Sequence, residues 1–163
     1  MSDGIKDLTV MVKRVCFGFM LLWMAFIFTM SARNATDSTR DSEKIGMLVG
    51  QTLIKDFDRL PEEKQHAFAQ SIDHAVRKTA HATEYAILGI LALGVFCDLK
   101  KRAMWAFMTA ALYAVTDEIH QLFVPGRSGK MTDVLIDSGG ALLGILLTLG
   151  FLCILKKCFS GRC

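Results

Sequence analysis

VLIDSGGALLGILLTLGFLCIL, residues 134–155, carries one charge, Asp137, in 22 positions. A helix needs roughly 20 predominantly apolar residues to cross about 30 Å of hydrocarbon, and this stretch meets that length. Three others compare with it. Val15–Ser31 holds no charge, and Ala80–Cys97 is interrupted only near its start, by His81 and Glu84. Ala103–Thr116 is uncharged for about 14 residues and runs on through the polar Asp117–Gln121 to Leu122, Phe123 and Val124. Alone, that third run would equally suit a core helix. The 163 residues are 52% apolar, with a mean hydropathy of +0.37, high for a domain with a wet surface. The expected fold is all-α: an integral membrane bundle of four transmembrane helices, at about 15–31, 80–97, 103–124 and 134–155.

Charge sets the orientation. Lys6, Lys13 and Arg14 precede the first span, Lys100, Lys101 and Arg102 link the second to the third, and Lys156, Lys157 and Arg162 follow the fourth. Four alternating spans bring all three clusters to one side, which is then cytoplasmic, with both termini. The other side receives residues 32–79, where eight acidic groups offset eight basic ones, and a short loop with Arg127 and Lys130. Cys16, Cys97, Cys153, Cys158 and Cys163 fall at or near the cytoplasmic ends, where thiols need no disulfide partner. The last three invite a metal or acylation reading, but no histidine lies near them. A cleaved signal peptide, with small residues Ser31 and Ala32 at the cut, is the rival account of the N-terminus; the apolar run is long for one, and a retained anchor is expected.

Between the first two spans, residues 34–44 (NATDSTRDSEK) read as a polar loop, with Ser42 as helix cap and Glu43 in the first turn. Ile45, Leu48, Val49, Leu53 and Phe57 then recur at helical spacing as one apolar face. Pro61, Glu62 and Glu63 start a second helix, with Phe68, Ile72 and Val76 along its stripe and no breaker before the second span. These amphipathic extracytoplasmic helices, over about 34–79, would cap the bundle or lie in the interface; a lid or a docking surface is the sharper alternative.

The polar residues of the spans gather at their outer ends. Arg77, His81 and Glu84 share a helical face, with Lys78 and Tyr85 beside it; Asp117, His120 and Gln121 share another, next to Glu118; Asp133 and Asp137 are a turn apart. Ionisable groups in a membrane cost about 3 kcal/mol each on insertion scales and persist where they pair or line a wet cavity. An ion-pair network that locks the bundle is one reading. Two histidines and a tyrosine among the carboxylates favour a functional one. Asp137, Gly140, Ala141 and Gly144 form a stripe whose GxxxG pair admits a close helix, within the chain or, less simply, in a homodimer.

RKTAHATEY at 77–85, DEIHQLFVPGRSGKMTDVLID at 117–137 and GGALLG at 139–144 resemble the VanZ-like family, from about residue 15 to 155. The resemblance implies a bacterial protein of the cytoplasmic membrane, a single VanZ-like domain over 1–163, in a family whose namesake is associated with teicoplanin resistance. Its pattern points to His81, Glu84, Tyr85, Asp117, Glu118, His120, Gln121, Arg127 and Asp133, and departs at Asp137, where an amide would also fit.

Three functions are expected to compete. In the first, an outward polar pocket binds a lipid headgroup or lipid-linked cell-wall precursor: Arg127 and Lys78 hold phosphate, Gln121 and Tyr85 select the headgroup, and Arg77 and Asp137 complete the binding set. In the second, a hydrolase or transferase acts on a lipid-linked substrate, with His81, Glu84, Asp117, Glu118, His120 and Asp133 as candidate catalytic groups. One divalent metal on His81, Glu84, Asp117 and His120 is its candidate cofactor, or His81 or His120 acts as a base. Arg127-x5-Asp133-x3-Asp137 is loosely similar to the third motif of membrane lipid phosphatases, which has histidine where Asp133 stands. The third is a structural or signalling partner. No phosphate-binding glycine loop, seryl nucleophile motif or nucleic-acid patch is present, and a net charge of +3 is too small for a nucleic-acid partner.

Overall fold

The computed structural model describes residues 2–160, and these form five α-helices, with no strand among them. In order they are α1 (Ser2–Ser31), α2 (Ala35–Leu53), α3 (Glu62–Val95), α4 (Arg102–Gln121) and α5 (Met131–Ser160), with a 3-10 turn at Phe57–Arg59. Arg162 and Cys163 lie outside the described residues.

By length and composition, α1 over Lys6–Ser31 and α5 over Met131–Phe159 can cross a membrane. The two other expected spans fall short of that test for a local reason: His81 and Glu84 cut the apolar run of α3, and Asp117–Gln121 cut that of α4. Those same residues are the polar constellation.

Contacts fix the directions of the helices. Cys16 of α1 packs on Gly94 of α3, and Trp23 Nε1 donates to the Glu84 carbonyl at 2.8 Å, so α1 and α3 are antiparallel. Tyr113 of α4 donates to the Met24 carbonyl at 2.6 Å, and Ser31 to Asp117 at 2.9 Å, so α4 runs with α1. Gly140 and Gly144 of α5 lie on the carbonyls of Ala82 and Ala86, so α5 runs with α3. A Cβ at Gly140 would come within 2.2 Å of Ala82 O, which is why only glycine allows this approach. The GxxxG notch is therefore filled inside the chain. Lys13 pairs with Asp98 at 2.8 Å, placing the basic end of α1 beside the Lys100–Arg102 link.

At about 1.5 Å per residue, α3 is roughly 50 Å long, more than a bilayer core needs. Its N-terminal half rises past the bundle, and α2 packs antiparallel on it through Gly46 against Ala69 and through Ser42, which donates to Asp73. Residues 34–79 thus form an upright hairpin, and, as the sequence predicts, its second helix continues unbroken into the next segment. The expected start of α2 is wrong. Asn34 caps it, accepting from the Asp37 amide at 2.8 Å, and Arg33 pairs with Asp41 across what reads as a polar loop. Ser42 is a buried contact residue, and the Ser38 and Thr39 carbonyls are alternative acceptors for the one hydroxyl hydrogen that it can give to Asp73. The apolar face also differs: Ser42, Gly46 and Gly50 are buried, whereas Ile45, Leu48 and Leu53 are exposed, because small residues allow the two backbones to approach more closely.

Candidate functional site

Three helices deliver their polar ends to one place. On α3, the 3.6-residue repeat puts His74, Arg77, Lys78 and His81 on one face. The α4–α5 loop folds over them: Gly126 takes a left-handed φ of +75° against Ala35, and Ala35 N bonds Pro125 O at 3.4 Å. Gly129 lies so close to the Glu118 carbonyl that a Cβ would meet it at 2.4 Å. These two glycines turn Arg127 and Lys130 back towards the bundle.

The result is a cavity of about 150 Å³ lined by Arg77, Lys78, Arg127 and Lys130, by His74 and His81, and by Gln121. Asp133 is its one acid. Arg77 is paired with Asp73 and Lys78 with Asp133, but Arg127 Nε is buried and has no hydrogen-bond partner among the described residues. Burial, reinforced by neighbouring cations, pushes the pKa values of Lys78 and Arg127 below their usual ranges, with nearby carboxylates opposing. Partly desolvated cations that repel one another make a site to which an anion brings compensation.

Below the cavity lies an acidic layer. Asp117 is 3% exposed; its Oδ2 accepts from Ser31 Oγ at 2.9 Å and from Gln121 Nε2 at 3.3 Å, and its Oδ1 has no hydrogen-bond partner among the described residues. Glu118 accepts from the Lys130 amide at 2.8 Å and from Gln121 at 3.3 Å, which ties α4 to the loop. Asp137 is 1% exposed, and neither carboxylate oxygen has a hydrogen-bond partner among the described residues. Glu84 Oε2 stands 3.5 Å from His81 Nδ1 without a hydrogen bond between them. Donor atoms of His81, Asp117 and Asp137 all lie within 4.8 Å of one another.

Most of the predicted residues therefore converge: Arg77, Lys78, His81, Gln121, Arg127 and Asp133 on the cavity, with Glu84, Asp117, Glu118 and Asp137 at or beneath it. Three do not fit their expected roles. Tyr85 is completely buried, its ring 6.2 Å from that of Tyr113, and cannot touch a headgroup. His120 is at the same depth but turns to Phe28, with rings 4.3 Å apart, so it does not join His81 as an expected co-ligand. Asp137 replaces it.

Two contributors escape a sequence reading. His74 sits seven residues before His81 on the same face, a repeat that periodicity alone would reveal. Ser31, considered only as a cleavage position, is fully buried against Asp117. No one-dimensional signal marks it, because the partner is 86 positions away.

Among curated proteins and among solved structures, no match is found. A family sequence profile does match, over residues 16–155 and so over most of the chain, including every motif that builds this site. On that coverage the chain belongs to the VanZ/LLP1 family.

Proposed function

We propose that the chain is a multi-pass protein of the bacterial cytoplasmic membrane whose outward-facing basic cavity binds the phosphate of a lipid headgroup or lipid-linked cell-wall precursor. The observation that carries this is the cavity lining, four basic side chains against one acid, with Arg127 Nε unpartnered. A guanidinium suits phosphate through its fork of donors.

Four spans are α1, the C-terminal half of α3, α4 and α5, with both termini cytoplasmic. Support for α3 and α4 as spans comes from the inverted packing. Met108, Leu112, Val115 and Ile119 of α4 are exposed, whereas Ala106, Ala110, Ala114 and the charged Asp117 and Glu118 are buried. In water such an outer face would be a large apolar patch; in lipid it is the expected surface. Binding a precursor near the membrane would alter how a glycopeptide such as teicoplanin engages its target, in keeping with the family's namesake.

The test is titration of the purified, detergent-solubilised protein with short-chain phosphatidic acid or a polyprenyl phosphate, against phosphatidylcholine as control. Arg127→Ala weakens phosphate-lipid binding roughly tenfold or more, the scale of a lost charge-assisted bond, and Lys78→Arg is partly tolerated. Equal affinity for phosphatidylcholine, or an Arg127→Ala protein that binds unchanged, would overturn the reading.

A second reading, a membrane-embedded hydrolase or transferase, draws on His81, which lines the cavity while facing Glu84, Asp117 and Asp137. Turnover of a lipid-linked diphosphate that vanishes in His81→Ala would favour it over binding alone.

A further inference from the structure

We infer that His81, Asp117 and Asp137 form a binding site for one divalent first-row metal ion beneath the basic cavity. Three observations carry the inference, and none depends on what the cavity above binds.

The first is convergence. The three side chains come from α3, α4 and α5, and their donor atoms lie within 4.8 Å of one another. Among the described residues this is the group of histidine, cysteine and carboxylate side chains with such a geometry.

The second is unmet valence. Both Asp137 oxygens, Asp117 Oδ1 and His81 Nδ1 are buried without a hydrogen-bond partner among the described residues. Asp137 is 1% exposed. A buried, unpaired carboxylate costs several kcal/mol, and neither Lys78 nor Arg127 makes an ion pair with it. A dication satisfies the two aspartates at once.

The third is the support around Asp117. Ser31 and Gln121 both donate to Oδ2, which fixes the carboxylate while Oδ1 stays available. Ligating carboxylates in metal sites are held by such outer partners. One imidazole and two carboxylates suit zinc or manganese better than the all-oxygen sites of magnesium and calcium. Three protein ligands leave coordination open on the cavity side, since His81 lines both.

The experiment is elemental analysis of the full-length protein in detergent, without added lipid, after stripping with EDTA and dialysis against Zn²⁺ or Mn²⁺. The expected content is about one ion per chain, falling roughly tenfold or more in Asp137→Asn and Asp117→Asn. His120→Ala, outside the set, keeps its metal. Because an amide at a buried position can unfold the bundle, a second readout uses wild type alone: Zn²⁺ or Mn²⁺ raises the melting temperature of stripped protein and EDTA reverses the rise. Wild type without stoichiometric metal, a melting temperature indifferent to both ions, or an Asp137→Asn protein that retains its ion would each overturn the site. The readouts contain no lipid, so failure here and failure of phosphate binding are separable.

Discussion

At the scale of single residues, burial decides how much each polar contact contributes. Ser31 and Asp117 meet in a fully enclosed position, where a hydrogen bond to a charged group contributes about 1.5–3 kcal/mol. Ser31→Ala is therefore expected to lower stability by about that amount, read as a reduced melting temperature in detergent; an unchanged one would show that Asp117 is neutral or otherwise satisfied. Lys13 and Asp98 make an equally short contact in the open. Its hydrogen bond to Lys13 holds the Asp98 carboxyl below the usual carboxylate range. A lowered carboxylate pKa contributes stability above its ordinary value, lost as pH falls through the lowered one. Lys13→Met should then match wild type in acid and lie only slightly below it at neutral pH, exposed pairs contributing little. A difference that persists in acid would mean that Lys13 acts through packing instead.

At the scale of elements, neighbouring glycines have opposite duties. Gly139 and Gly140 are adjacent in α5, yet a Cβ on Gly139 meets nothing within 4 Å whereas one on Gly140 meets the Ala82 carbonyl. Gly139→Ala is expected to be neutral or to stabilise by up to about 1 kcal/mol through helix propensity. Gly140→Ala should destabilise by about 1–3 kcal/mol, since α3 and α5 must part, and should loosen the site by moving Asp137 away from His81. Thermal unfolding of the two variants side by side checks this; equal effects would mean that the α3–α5 contact is not close. The same principle explains α2, where Gly46 and Gly50 sit against Ala69 and Phe57 and displace the leucine face that periodicity favours.

At the scale of the molecule, large apolar side chains of α1, α4 and α5 are exposed while Asp117, Glu118 and Asp137 are buried, and the arrangement has a direction. Ser128, in the loop over the cavity, and Lys101, in the basic link, are both exposed and lie at opposite ends of α4. In a cysteine-free background, Ser128→Cys should react with a membrane-impermeant maleimide on intact cells and Lys101→Cys should not. The reverse pattern would invert the topology and turn the cavity to the cytoplasm. The first helix belongs to this body: Ile27 is completely buried and Trp23 is bonded to the Glu84 carbonyl, so its removal would open the site from the side.

The sequence alone carries the all-helical character, the apolar runs, the basic clusters between them and the spacing that aligns His81 with Glu84 and Asp133 with Asp137. These are properties of one helix at a time, governed by a period of 3.6 residues and by the cost of charge in hydrocarbon. The tertiary structure decided which of the gathered groups face one another. It brought donor atoms of His81, Asp117 and Asp137 within 4.8 Å of one another and turned His120 towards Phe28, sealed Tyr85 in the core, brought Ser31 to Asp117 and raised residues 34–79 into a hairpin. Each outcome depends on the rotation and approach of neighbouring helices, set by glycine and alanine contacts between segments distant in the chain. No period along a single strand of sequence encodes them.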